Sequence, residues 1–116
     1  MTITGYHRPP REPDIEAEIY ILRTDEGGRH TPVQTGYRPS HNFGLDGMLN
    51  DAQHEYIGKD SIDLGGTANA YLWFLCPEYQ DGRLYSGLEF TVQEGNKIVG
   101  KGKVKRVINA KLAKNA

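Results

Sequence analysis

The sequence predicts a single all-β domain, and three observations support this. Apolar residues alternate with polar ones in several segments, turn-forming residues separate those segments, and no segment shows a sustained helical period. The 116 residues include 14 glycines and 6 prolines, a composition typical of short strands joined by many turns. A chain of this length forms one hydrophobic core. Six or seven short strands with regularly spaced turns favour a barrel or a sandwich.

The clearest strand lies at residues 14–22. Apolar residues alternate there with polar ones, which predicts a strand with one buried face. Residues 24–32 form a polar loop that bends at Gly27 and Gly28. The remaining extended segments are at 36–43, 53–57, 68–76, 84–93 and 97–108, and the last two are joined by a tight hairpin at 94–96.

Three parts of the chain are expected to differ in order. Residues 1–13 form an irregular N-terminal arm because three prolines remove backbone donors, residues 14–109 form the β-barrel domain, and residues 110–116 form a loose C-terminal tail. The arm has no apolar segment of the kind found in signal peptides, and no apolar run is long enough to span a membrane. The single cysteine, Cys76, excludes an internal disulfide, so a reducing cytoplasm is the expected location.

Charge is distributed unevenly along the chain. The formal net charge is −1, but residues 97–116 carry seven basic side chains and no acidic one. The rest of the chain holds the other seven basic residues and all 15 acidic ones. Such asymmetry can mark a contact surface for an anionic partner.

Several short motifs resemble one known domain. Residues 19–22 (IYIL), 25–32 (DEGGRHTP) and 36–39 (GYRP) resemble the start of domain 3, the C-terminal barrel, of bacterial elongation factor Tu. Residues 87–95 and 99–108 are similar to that domain's final hairpin, whereas residues 45–66 diverge. The resemblance implies a six-stranded antiparallel closed β-barrel, here expected as a freestanding protein without the GTPase domain.

One motif imitates a nucleotide site. Gly95, Gly100 and Lys101 have the spacing of a phosphate-binding loop, but that motif needs Ser or Thr after the lysine and a helix after the loop. Gly102 stands at the first of these positions, and a strand is predicted to continue through residue 108. We therefore expect no GTP binding, and the sequence predicts no other cofactor.

The polar loop and the residue before Pro39 are candidates for RNA contact. Arg29 and His30 lie on the Gly27-Gly28 bend, where cationic donors suit phosphate oxygens, and the resemblance implies a surface that holds the T-stem of aminoacyl-tRNA. Alternatively, this loop only defines the fold. Arg38 has the same two interpretations: a phosphate contact, or a pair with a carboxylate of its own barrel.

The last predicted strand carries a second basic candidate. Lys101, Lys103 and Lys105, which we call the lysine row, are predicted to face outward. The predicted inward face contains Ile98, Gly100, Gly102, Val104 and Ile108. Alternate residues of a strand lie roughly 6.6 Å apart, close to the phosphate spacing of a nucleic acid. We favour the other interpretation, in which lysines protect a surface that a neighbouring domain covers in the resembling protein.

The remaining candidates concern protein contacts and reactive groups. The resemblance places contact with a GTPase domain near Ser40 and Thr91, which are therefore predicted to form a partner interface. His41 and His54 look isolated, so a zinc site is not expected. Cys76 is predicted to be a buried, inert thiol. No arrangement of residues predicts catalysis, so the chain is not expected to be an enzyme.

Three functional hypotheses stay open at this point. The first is a non-catalytic binding module for RNA, tRNA-like in shape, or for a translation-related protein. The second is a regulatory or structural mimic of the resembling domain that acts through protein–protein contacts or self-association. The third is a small-molecule binder in a cleft near Ser40 and Thr91. Fold alone decides none of them, and the sequence does not determine the oligomeric state.

Overall fold

Six antiparallel strands close into a barrel in the computed structural model, which describes residues 5–115. The strands are β1 (Ile15–Ile21), β2 (Val33–Gln34), β3 (Ser40–Asn42), β4 (Asn50–Tyr56), β5 (Ser61–Ile62), β6 (Thr67–Phe74), β7 (Glu89–Glu94) and β8 (Lys97–Val107). The barrel order is β1-β6-β4-β3-β7-β8, with β8 pairing back to β1, while β2 and β5 form a separate two-stranded ribbon. The predicted closed barrel is confirmed.

Within residues 5–115, helical structure is confined to three single turns. These 3₁₀ turns lie at Thr24–Glu26, Pro77–Gln80 and Ala110–Leu112. Among the described residues, no helix is long and apolar enough to cross a membrane. The turn at Thr24–Glu26 ends at Gly27, whose φ of 90° places it in the left-handed region that favours glycine. This glycine explains why the polar loop bends where the sequence predicts.

The core is built from the inward side chains of all six barrel strands. On β1 the residues predicted to be inward, Ile15, Ala17, Ile19 and Ile21, are fully buried. Leu72 and Phe74 of β6 and Phe90 of β7 are also buried. Because neighbours along a strand point to opposite faces, the side chains that alternate with these core residues point to the outside of the barrel.

Two irregularities in β8 change the predicted facing of its residues. The β7–β8 register shifts between Val92 and Gln93, so that Val99 is buried and Ile98 is 43% exposed. The predicted inward position of Ile98 is therefore wrong, because a β-bulge adds one residue to the strand. The β1–β8 register shifts again between Glu16 and Ala17.

Other element boundaries also differ from the prediction, either because the strands are very short or because tertiary contacts determine where an element begins and ends. β7 begins at Glu89 rather than at residue 84, and β2 and β5 were not predicted. The C-terminal segment, expected to be loose, has Leu112 fully buried, and the Lys114 amide donates to the Leu84 carbonyl at 2.7 Å. Residues 1–4 of the predicted arm and Ala116 of the predicted tail lie outside the described residues.

The N-terminal arm contains no strand between residues 5 and 13 but packs on the outside of the barrel. The Trp73 indole Nε1 donates to the Arg11 carbonyl at 2.8 Å, and the Tyr6 hydroxyl donates to Glu55 at 2.8 Å. The Arg8 guanidinium lies 5.3 Å from the Trp73 ring centroid. These contacts bury Trp73 on the outer side of β6, so both faces of that strand are covered.

Asp14 connects the arm and the C-terminal segment to the barrel through hydrogen bonds. Its fully buried carboxylate accepts two hydrogen bonds from Arg11 at 2.9 and 3.0 Å, one from the Phe74 amide at 2.7 Å and one from the Asn109 side chain at 2.9 Å. Its carbonyl accepts from the amides of Ile108 and Asn109. A buried carboxylate is tolerated here because it is paired and fully hydrogen-bonded.

Candidate partner-binding surface

Three neighbouring strands present a continuous set of outward side chains, which we call the β3–β7–β8 face. Asn42 lies opposite Thr91, which lies opposite Lys101, and Ser40 lies opposite Gln93, which lies opposite Ile98. The face consists of Ser40, Asn42, Glu89, Thr91, Gln93, Ile98, Lys101 and Lys103. Because all eight stand on hydrogen-bonded strands, their relative positions are fixed by the barrel.

The two residues predicted as a partner interface lie together on this face. Ser40 and Thr91 occupy paired strands, with Thr91 two residues from the partner of Ser40. The Ser40 hydroxyl donates to Asp51 at 2.6 Å, and the Thr91 hydroxyl donates to the Gln93 side-chain oxygen at 2.8 Å. These hydrogen bonds hold short polar side chains flat against the sheet.

The lysine row is exposed, but acidic residues interrupt its charge. Lys103 lies opposite Glu18 of β1 on one side and Glu89 of β7 on the other. Next to the row, the Arg106 side chain donates to Glu16 at 2.8 Å. Although residues 97–116 contain no acidic residue, the neighbouring strands supply carboxylates. The row is therefore one part of a mixed-charge surface rather than a continuous cationic track.

Arg29 is held by contacts within the barrel. Its guanidinium forms an ion pair with Glu94, donates to the Thr31 carbonyl and hydroxyl at 3.1 Å each, and lies 5.2 Å from the Tyr37 ring centroid. The Tyr37 hydroxyl also donates to Glu94. Burial opposes ionisation of Glu94, yet the hydrogen bonds from Tyr37 and Arg29 lower its pKa overall. These contacts favour the fold-defining interpretation of the loop.

His30 and Arg38 are the other two RNA candidates, and both are exposed. Arg38 Nε donates to the Gln53 side-chain oxygen at 2.9 Å, so this arginine contacts an amide rather than the carboxylate expected. Arg38 and Gln53 also line a pocket of about 310 Å³ between the arm and the barrel. Arg29 is thus anchored to β7, whereas Arg38 is anchored to β4.

Two histidines that look isolated in the sequence meet inside the barrel. Their Nε2 atoms lie 2.8 Å apart, and both rings are fully buried. His41 Nδ1 is 2.9 Å from the Asn50 carbonyl oxygen, and His54 Nδ1 is 3.1 Å from the Tyr56 hydroxyl. The prediction that these histidines are isolated is wrong, because β3 and β4 are paired neighbours in the barrel.

The hydrogen-bond partners determine the tautomer of each ring. A carbonyl only accepts, so His41 carries its proton on Nδ1, and its Nε2 accepts from His54 Nε2–H. The remaining His54 nitrogen, Nδ1, then accepts from the Tyr56 hydroxyl. Burial lowers the pKa of His41 to about 4 and, together with the neighbouring His41, lowers the pKa of His54 well below its ordinary value. Both rings are neutral, and neither has a free lone pair for a metal ion.

A signal for this histidine pair is present in the sequence. His41 has the same strand parity as Phe43, and His54 has the same parity as Ala52 and Tyr56, all of which are buried. Alternation therefore indicates that both rings point inward. Alternation does not show that β3 and β4 are paired, so it does not predict that the two rings meet.

Cys76 is exposed, which contradicts the predicted buried thiol. Strand β6 ends at Phe74, and Pro77 begins a 3₁₀ turn, so Cys76 lies in a connection rather than in the core. Among the described residues, no three His, Cys, Asp or Glu side chains are grouped so that they could hold a metal ion.

Part of the chain matches a known family. The family described as the elongation factor Tu C-terminal domain matches residues 10–44. This range covers the end of the arm, β1, the loop with Arg29, β2 and β3. The match confirms the resemblance over the motifs at 19–22, 25–32 and 36–39, and the closed six-stranded barrel is the fold of that domain. The description of the matched family names a translation elongation factor.

Proposed function

We propose that this chain, a barrel with the fold of the elongation factor Tu C-terminal domain, is a non-catalytic module that binds a translation-related protein through the β3–β7–β8 face. One observation carries the proposal. Ser40 and Thr91, the positions where the resemblance implies contact with another protein domain, lie on paired strands of one outward face, where both are half-buried. A surface used for domain contact is suited to contact with a separate protein as well.

The composition of this face supports protein binding. It combines short polar side chains, the oppositely charged cross-strand pair Glu89 and Lys103 beside Lys101, and the exposed apolar Ile98. Interfaces between separately folded proteins have a similar mixture of apolar and polar surface, and alternating charges set the register of a partner. Since the barrel is closed, a partner on this face must be recognised by side chains rather than by addition of a strand.

An RNA partner is less well supported by the same contacts. Arg29 is engaged by Glu94, and Lys103 has a glutamate at its register position on each side. Nucleic-acid binding draws its affinity from uncompensated cations facing phosphates. Carboxylates among these cations would repel a phosphate backbone, so a protein surface of mixed charge is the better complement.

The proposal is tested by affinity capture with matched variants. The immobilised chain is exposed to nuclease-treated lysate, and retained proteins are identified by mass spectrometry. Thr91→Arg places a long cation on the β3–β7–β8 face, whereas the control Ile57→Arg changes a residue, 38% exposed, in the turn after β4. We expect a translation-related protein to be retained by the parent and by Ile57→Arg and lost with Thr91→Arg.

Three outcomes would count against the proposal. Equal retention by both variants would place the binding surface elsewhere. Capture of a protein from untreated lysate that is lost in nuclease-treated lysate would indicate RNA as the partner. Sedimentation of the parent as an oligomer that Thr91→Arg dissociates would support the self-associating mimic instead.

A further inference from the structure

A second surface lies at one end of the barrel, where two loops expose apolar side chains. The loops are 43–49, between β3 and β4, and 75–88, between β6 and β7. Six of the eight large apolar side chains that the described residues expose belong to them, with exposed fractions of 37–56%. These six are Leu45, Met48, Leu49, Leu75, Tyr79 and Tyr85. Single exposed apolar residues are ordinary, but a group on adjoining loops indicates an interaction site.

Specific contacts fix the two loops together. The Leu75 amide donates to the Asp51 carbonyl at 3.0 Å. The Arg83 guanidinium donates to the Asp46 carboxylate at 2.9 Å and to the Tyr79 carbonyl at 3.1 Å, which joins the tips of both loops. The hydrogen bond from Arg83 holds the pKa of Asp46 below its ordinary value. The exposed apolar residues therefore stand on a preorganised frame.

The frame encloses a small pocket of about 230 Å³. Its lining consists of Leu49, Asn50, Asp51, Leu75, Cys76 and Tyr79. Sites for whole small molecules are larger, about 300–1,000 Å³. The pocket has the size for one inserted side chain, of the kind that anchors a protein–protein contact.

The rim of this pocket is acidic. Residues 44–51 and 75–82 contain four acidic side chains, Asp46, Asp51, Glu78 and Asp81, and no basic one. Arg83 neutralises Asp46, which leaves three carboxylates beside the apolar group. A complementary partner therefore carries positive charge next to an apolar side chain.

We propose that this pocket binds a short segment of a partner protein in which one apolar or aromatic side chain is flanked by lysine or arginine. The anchor side chain enters between Leu49, Leu75 and Tyr79, and the basic residues meet the carboxylates on the rim. In residues 109–116 of a second copy, the apolar Leu112 is buried in its own core, so this segment does not supply such an anchor. The site borders the β3–β7–β8 face at Asp51, which accepts a hydrogen bond from Ser40, but the two sites share no residue.

The test uses a display library of random twelve-residue peptides selected on the immobilised full chain. We expect enriched peptides to share an apolar or aromatic residue next to Lys or Arg. Fluorescence anisotropy with one enriched peptide then compares variants: Leu75→Glu and Glu78→Lys should each weaken binding at least about tenfold. The controls Ile98→Glu, at an exposed apolar position away from the pocket, and Thr91→Arg, on the β3–β7–β8 face, should leave binding unchanged. Circular dichroism confirms that each variant is folded.

Every other result overturns the inference. Enriched peptides without basic residues, or binding that survives both pocket variants, would show that the pocket does not select this chemistry. An absence of enriched sequences would do the same. Sedimentation showing a dimer that Leu75→Glu dissociates would identify a second copy as the occupant. Because Thr91→Arg separates the two surfaces, failure here is distinguishable from failure of the proposed function.

Discussion

The buried pair of His41 and His54 should make the barrel sensitive to mild acid. Both rings are neutral in the folded chain, because burial lowers the pKa of His41 from 6.5 to about 4. The Asn50 carbonyl and the Asp51 carboxylate oppose this shift without cancelling it. In the unfolded chain a histidine titrates near its ordinary value. As pH falls, the unfolded state therefore takes up protons first, and folding stability declines.

The size of this effect follows from the shift. Stability is fully present above the unfolded pKa and is lost as pH falls through the window from 6.5 towards 4. One pKa unit corresponds to about 1.4 kcal/mol, so His41 alone removes about 2.5 kcal/mol by about pH 4.5. The pKa of His54 is lowered as well, and its loss adds in the same direction. A domain with a total stability of about 5–15 kcal/mol is noticeably weakened by this amount.

The loss of stability is measured by urea unfolding at about pH 7.5 and at about pH 4.5. The fluorescence of the single tryptophan, Trp73, monitors the unfolding. The triple change His41→Phe, His54→Leu and Tyr56→Phe removes the whole hydrogen-bonded chain and serves as the comparison. We expect the parent to lose about 2 kcal/mol or more beyond what the triple variant loses. Carboxylate titration is common to both proteins and cancels. Equal losses in the two proteins would refute the assigned burial and tautomers.

Three further predictions concern Asp14, Gly102 and the lysine row. Asp14→Ala should lower the free energy of unfolding by about 3 kcal/mol or more in urea titration, because it leaves buried donors without an acceptor; a cost below about 1 kcal/mol would contradict this. Gly102→Ala places a Cβ in steric overlap with the Phe90 ring, so it should cost about 1–3 kcal/mol, and Phe90→Leu should relieve part of that cost. Changing the whole lysine row to alanine should alter stability by less than about 0.5 kcal/mol. The parent should give no gel shift with structured RNA at about 0.15 M salt, whereas a salt-dependent shift lost in that variant would contradict the mixed-charge description.

Much of the fold follows from local patterns in the sequence. The alternation in β1 correctly indicates its buried residues, and glycines such as Gly27 mark a turn because of their conformation. The bulge in β8 opposite Val92 and Gln93 cannot be recognised from the local sequence. One added residue reverses which side chains point into the barrel without changing the composition of the strand. β2 and β5 contain two residues each and are too short to show a period.

The candidate surfaces depend on which strands pair and in which register, and local sequence patterns do not determine this pairing. The acidic neighbours of Lys103 come from β1 and β7, far from it in the chain, so the lysine row looks like an isolated cationic strip until the register is known. The histidine pair is hidden for the same reason. Parity predicts that each ring points inward, but only the β3–β4 pairing brings the two nitrogens within hydrogen-bonding distance.

Site-specific photo-crosslinking tests the central claim, protein binding through the β3–β7–β8 face, most directly. A photoreactive phenylalanine analogue replaces Thr91 in one protein and Ile57, in the turn after β4, in the control. After irradiation in nuclease-treated lysate, we expect a translation-related protein attached at position 91 and absent at position 57. Attachment at both positions alike, or attachment at position 91 to RNA alone in untreated lysate, would contradict the proposed function.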